Sequence, residues 1–174
     1  MKAYIYDEED LSDYQNNHDS GIAVSEKNLN DLGVLYFNYS DLKDVDSLAK
    51  ERNYRNRDQI VLNPQTENLK QKLDMFIKEH IHEDEEIRYI IDGSGFFDVR
   101  SADEKWIRCK VEKNDLLILP SGIFHRFTLD STNYVKALRL FQDEPKWVAL
   151  NRPVDLSNQY RKQYEQKYLS SITV

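Results

Sequence analysis

The sequence predicts a mainly β protein, a small β-sandwich or barrel with several peripheral helices. One observation behind this is a change of rhythm. From residue 80 to residue 141, β-branched and aromatic runs recur at short intervals between turn residues. Ahead of that region, short strand patterns mix with helical ones, which supplies the peripheral helices. Size agrees: 174 residues, 40% hydrophobic and 32% charged, form a globular composition. A chain of that length buries about two-thirds of its unfolded surface.

Residues 2–6 alternate like an edge strand. Ser25 is placed to cap a short helix that stops at Gly33, a common helix-ending signal. Residues 34–37 read as a strand, 46–52 as a helix, and 59–62 as a short strand ended by Asn63-Pro64. The clearest helix runs from about 66 to 78. Its Leu69, Leu73, Phe76 and Ile77 recur at i, i+4, i+7 and i+8, forming an apolar stripe read as core packing without a functional role. Strands follow over 86–91, 96–100, 106–111, 116–119, 125–129 and 134–141, and Asp92-Gly93-Ser94-Gly95 is expected to close the first with a turn. After Pro153 the chain is polar. Residues 159–169 fit either a helix with tyrosines on one side or a loosely attached segment. The expected organisation is therefore one domain over 1–153, with an N-terminal α/β elaboration, and a C-terminal tail over 154–174.

The formal charge of −7 argues against generic binding to nucleic acid or anionic lipid. No apolar run is long enough to span a membrane, and no signal-peptide core is visible. The single cysteine, Cys109, excludes an internal disulfide, fits a reducing compartment, and is expected to be buried in a strand. Cytosol is the expected location, with the nucleus compatible, and a monomer is the expected state.

The most informative stretch is Glu79-His80-Ile81-His82-Glu83-Asp84-Glu85-Glu86, which sets two histidines and a carboxylate in the order H-x-H-x-x-x-E. Pro120-Ser121-Gly122-Ile123-Phe124-His125 adds a third histidine behind a turn. Three imidazoles and a carboxylate make a coordination shell for a divalent transition metal such as iron, nickel, manganese or zinc. On a strand, His80, His82, Glu86 and Arg88 point the same way. On a helix the two histidines would stand roughly 200° apart. Among the crowded acids, Glu86 alone combines strand parity with the motif interval; Asp84 shares the parity but lies too close to His82. Glu83 and Glu85 are read as solvated charges and His18, in a polar stretch, as exposed.

These residues resemble the two cupin motifs. His80, His82, Glu86 and Gly93 match the first without a gap, and Pro120, Gly122 and His125 match the second. Asn114 stands where that second motif opens on glycine, a mild departure because asparagine tolerates left-handed backbone. Leu129 replaces the asparagine often found four residues after the histidine. A finer resemblance, over roughly residues 1–153, is to acireductone dioxygenases. It is carried by residues 79–89, Gly95-Phe96-Phe97-Asp98-Val99-Arg100, Trp106-Ile107-Arg108, residues 119–129, Lys136-Ala137-Leu138-Arg139-Leu140-Phe141 and Glu144-Pro145-Lys146-Trp147, with Asn56-Arg57-Asp58 ahead of them.

The resemblance implies a cupin-type barrel (jelly roll) and a reaction of methionine salvage. With Fe(2+), the family cleaves 1,2-dihydroxy-3-keto-5-methylthiopentene with O2 to formate and 4-methylthio-2-oxobutanoate. With Ni(2+) as the alternative metal, it gives 3-methylthiopropionate, formate and carbon monoxide. His80, His82, Glu86 and His125 are then the metal ligands. Arg88 is a candidate catalytic and substrate-binding residue that would hydrogen-bond the bound enediolate, or else a surface ion pair. Phe127 is a candidate wall over the substrate, or a core aromatic. Glu79 is a candidate base, or an orienter for a ligating histidine. Competing readings are another metal-dependent cupin oxygenase or isomerase, and a non-enzymatic metal-binding cupin sensor. A structural zinc site is disfavoured by the single cysteine.

Overall fold

A computed structural model of the chain describes residues 1–144 and 148–170. The matching stretch Pro145-Lys146-Trp147 and residues 171–174 of the tail lie outside the described residues. In chain order the elements begin with β1 (Lys2–Tyr6), β2 (Asp19–Ala23), α1 (Glu26–Asp31), β3 (Leu35–Asn38), α2 (Leu42–Glu51), β4 (Asn56–Leu62) and α3 (Leu69–Phe76). Then come β5 (His80–Ile81), β6 (Glu86–Arg100), β7 (Trp106–Glu112), β8 (Asp115–Leu119), β9 (His125–Thr128), β10 (Val135–Phe141) and β11 (Leu150–Asn151). The tail forms α4 (Gln159–Tyr164), continued by a π-helical turn (Glu165–Leu169).

The strands form an antiparallel cupin fold joined by β6. Residues of β6 before Gly93 pair with β8 and β10, whereas those after it pair with β7 and β9. The turn expected at 92–95 is therefore absent, and one strand of 15 residues serves both sheets. The reason is local. The register against β10 skips Ile91 between Lys136 and Ala137, a bulge, and Gly93 two residues on takes φ +78°, so the strand bends without reversing.

Helix α1 is capped by Ser25, whose hydroxyl accepts from Asn28 N–H, and α2 starts earlier than expected because Asp41 accepts from Lys43 N–H. Helix α3 is shorter than the expected 66–78: it starts after Asn68, held at φ 55° with no side-chain cap bond. Strand β2 had no legible signal, its sequence Asp19-Ser20-Gly21-Ile22-Ala23 being polar and glycine-broken. The run Leu116-Leu117-Ile118-Leu119 is uninterrupted because β8 is buried on both faces. Leu117 and Leu119 enter the inner core with Ile90, Phe97 and Val99, while Leu116 and Ile118 pack outward with Val45 and Leu48 of α2. Cys109 is fully buried in β7, which pushes its thiol up to about 12.

Two expectations at single residues are overturned. His18 is buried, stacked on Tyr6 at 4.5 Å, because the loop before β2 folds its ring onto the sheet. Glu85 is half-buried in a pair with Arg52 at 3.0 Å and accepts from the Tyr54 hydroxyl at 2.6 Å. The tail is docked: Tyr164 is buried in the inner core, and its hydroxyl donates to Leu32 O at 2.8 Å.

Candidate metal centre

The H-x-H segment is not one strand leading into Glu86. His80 lies on the two-residue β5, opposite His125 of β9. His82 then enters a loop that ends where Glu86 opens β6. The expected shared parity is replaced by a loop that folds back. Ser121 Oγ donates to Glu83 O at 2.6 Å, and Gly122 N–H donates to His82 O at 3.1 Å, so the turn before β9 holds this loop in place.

The four predicted donors nevertheless converge. One ligand atom from each of His80, His82, Glu86 and His125 lies within 4.8 Å of every other. Glu86 Oε2 sits 2.6 Å from His125 Nε2 and 3.4 Å from His82 Nε2. Each imidazole is oriented from behind by a backbone carbonyl at Nδ1: Lys78 O at 2.6 Å for His80, Val148 O at 3.1 Å for His82 and Ile123 O at 2.9 Å for His125. Those bonds turn Nε2 of each ring inward, and in a metal-bound imidazole they would hold the proton on Nδ1. Burial, reinforced by His125, presses the His80 imidazole down to about 4. Burial also lowers His82, against the pull of Glu86. Burial would raise the Glu86 carboxyl, but Arg88 and His125 outweigh it and hold it well below the usual range. Neutral imidazoles beside an ionised carboxylate are the forms that bind a divalent cation. A mixed nitrogen and oxygen set with no thiolate suits iron, nickel, manganese or zinc.

Arg88 follows on β6, with Nη2 3.0 Å from Glu86 Oε1 and Nη1 donating to Ile87 O at 3.0 Å. It lines a cavity of about 310 Å³ whose polar end is the four donors. Phe127 lines the same cavity, its ring 4.8 Å from Phe97, so it is at once a cavity wall and part of the core packing. Its close approach needs Gly95, where a Cβ would stand 2.9 Å from the Phe127 ring.

Glu79 is not where a histidine orienter would be. Its oxygens accept from Arg100 at 2.8 and 3.1 Å and from Arg152 at 3.0 Å, and backbone carbonyls take the role expected of it. Side chains next to each other in an extended segment point to opposite faces, so Glu79 faces away from His80.

Two cavity residues escaped the sequence reading. Arg139 lines the cavity from β10, opposite Arg88 in register and gripped by both oxygens of Asp58 at 2.7 Å. Its signal was faint: Asp58 and Arg139 lie in two of the stretches that carry the family resemblance, but only strand pairing puts them side by side. Phe76, read as core stripe, also lines the cavity and meets Phe127 edge-on at 6.3 Å.

A cupin barrel with three histidines and a glutamate gathered inside it defines the class, a metal-binding cupin. The chain belongs to the acireductone dioxygenase family: the model of the ARD/ARD' family matches residues 2–149. It is 54% identical to an acireductone dioxygenase of Puccinia graminis f. sp. tritici, covering 100% of this chain and 98% of that one. It is 56% identical to one of Emericella nidulans, over 94% of this chain and 93% of the relative. Among solved structures, it resembles an acireductone dioxygenase from Bacillus anthracis with a cadmium ion in its active center. That likeness has a TM-score of 0.66 at 29% identity, covering 72% of this chain and 87% of the other.

Proposed function

We propose that this protein is a metal-dependent acireductone dioxygenase that cleaves 1,2-dihydroxy-3-keto-5-methylthiopentene with O2. The observation that carries the reading is the placement of four convergent donors, with Arg88 and Arg139 beside them, at one end of a cavity whose remaining wall is apolar. In this reading His80, His82, Glu86 and His125 hold Fe(2+), or Ni(2+) as the alternative. The bound ion supplies the Lewis acidity that stabilises an enediolate.

The remaining work falls to the chain. Arg88 offers guanidinium N–H groups beside Glu86, where the oxygens of an enediolate would lie, and favours the charged form of the substrate. Arg139, fixed by Asp58, places a second cation along the same wall. Ile60, Leu62, Phe76, Phe97, Phe127 and Val135 form an apolar end that fits a methylthioethyl chain and excludes water from the polar end. The orienting carbonyls turn each Nε2 toward the place where the ion would sit.

The test is turnover of the purified protein loaded separately with each metal, following acireductone loss, O2 uptake and products. The iron form should give 4-methylthio-2-oxobutanoate and formate, and the nickel form 3-methylthiopropionate, formate and carbon monoxide. Absence of metal-dependent turnover in both forms overturns the proposal.

A further inference from the structure

The polar tail, to which the sequence assigned no role, touches the metal centre at one remove. We propose that α4 is a clamp on the turn that orients two of the four donors, and that Arg161 is a positioning residue for the metal. The proposal rests on the reading of His80, His82, Glu86 and His125 as ligands.

The geometry forms a short chain of contacts. Pro120 to Phe124 is the segment that orients the site: Ile123 O accepts from His125 Nδ1–H, Gly122 N–H donates to His82 O, and Ser121 Oγ donates to Glu83 O. This single turn therefore sets the direction of one imidazole and the path of the loop bearing another. The turn is held from outside by α4. Arg161 donates from Nη1 to Gly122 O at 3.2 Å, and its guanidinium lies 4.4 Å from the Phe124 ring. Glu165 fixes the Arg161 side chain at 2.9 Å. The helix backbone lies so close that a Cβ on Gly122 would stand 2.4 Å from Tyr160 O. Tyr164 anchors the helix by its bond to Leu32 O, and Tyr168 packs over Gly33 beside Pro120. Without a cation donating to Gly122 O, the turn loses its outer partner while the core anchor at Tyr164 remains. Ligand orientation should loosen before the fold does. Removing partners that orient metal ligands typically weakens affinity 10–100-fold.

The experiment uses the full chain and cobalt(II) as the probe, reading affinity by competition with a chromophoric chelator and coordination by the visible d–d spectrum. Arg161→Met keeps the apolar stem over Phe124 and removes the donor; it should bind cobalt about ten-fold more weakly, with an altered spectrum and an unchanged far-UV circular dichroism. Arg161→Lys restores a donor and should recover most of the affinity. Tyr4→Phe, on β1 and away from the turn, breaks a hydrogen bond to Asn17 O and should leave cobalt affinity as it is. Wild-type affinity and spectrum in Arg161→Met overturn the proposal, as does an equal loss in Tyr4→Phe, which would mark a general effect of stability. Failure of the unsubstituted protein to bind cobalt overturns the ligand reading, and the clamp with it.

Discussion

His82 is the donor nearest to solvent, with 26% of its side chain exposed, and it sits in a loop with its ring held by a carbonyl from a distant segment. Removing it opens no core cavity. His82→Ala should therefore lower metal affinity by at least about 100-fold, beyond what loss of an orienting partner costs, while stability of the metal-free protein changes by about 1 kcal/mol or less. Metal content per chain and thermal unfolding check this; retained metal with full activity removes His82 from the ligand set. At this scale the cluster of His80, His82, Glu86 and His125 was legible, because few side chains bind transition metals and the chain has only 4 histidines. The surroundings of each group were not. Glu79, Glu85 and His18 carry the polar character of surface residues, yet Arg100 and Arg152, Arg52, and Tyr6 respectively enclose them. Those partners are distant in sequence, so no local pattern announces them.

Strand β6 shows how an element departs from its local signal. Asp92-Gly93-Ser94-Gly95 has the composition of a hairpin turn, and glycine is indeed needed there, but for a bend within one strand. A Cβ on Gly93 would stand 2.3 Å from Tyr134 O, at a φ of +78°. Gly93→Ala should destabilise the protein by at least roughly 2 kcal/mol, since left-handed strain alone costs about 1–3 kcal/mol and the backbone contact adds to it. Urea unfolding measures the change; a loss under 0.5 kcal/mol would mean the bend at Gly93 relaxes freely. Most strands were legible because their apolar runs reflect burial. Strand β11 was not, having two residues, and neither was β2, whose exposed residues carry no alternation. The helix ends were read imperfectly because Asn68 begins α3 without a side-chain cap, leaving nothing local to mark the start.

For the whole molecule, the donors come from three separate places: β5 with its loop, the start of β6, and the start of β9. A ligand that joins them stabilises only the folded state, because the unfolded chain keeps them apart. Free metal at 100 times its dissociation constant adds about 2.7 kcal/mol, which for a chain of this length raises Tm by roughly 5–11 °C. Calorimetry of the metal-free protein with added Ni(2+), and again after chelation, should show the rise and its reversal; an unchanged Tm in saturating metal contradicts a site built across these elements. The sequence by itself determined the fold class and the family, and it singled out the four side chains that the fold brings together. Burial imprints itself on strand patterns, and few residue types can bind such an ion. Only the tertiary structure decided that the H-x-H segment is a strand followed by a loop, that backbone carbonyls orient the imidazoles, and that Arg139 and Phe76 share the cavity. It also decided that the polar tail leans on the turn beside His125. Each of these depends on contacts between residues far apart in the chain, and these leave no periodicity in the sequence.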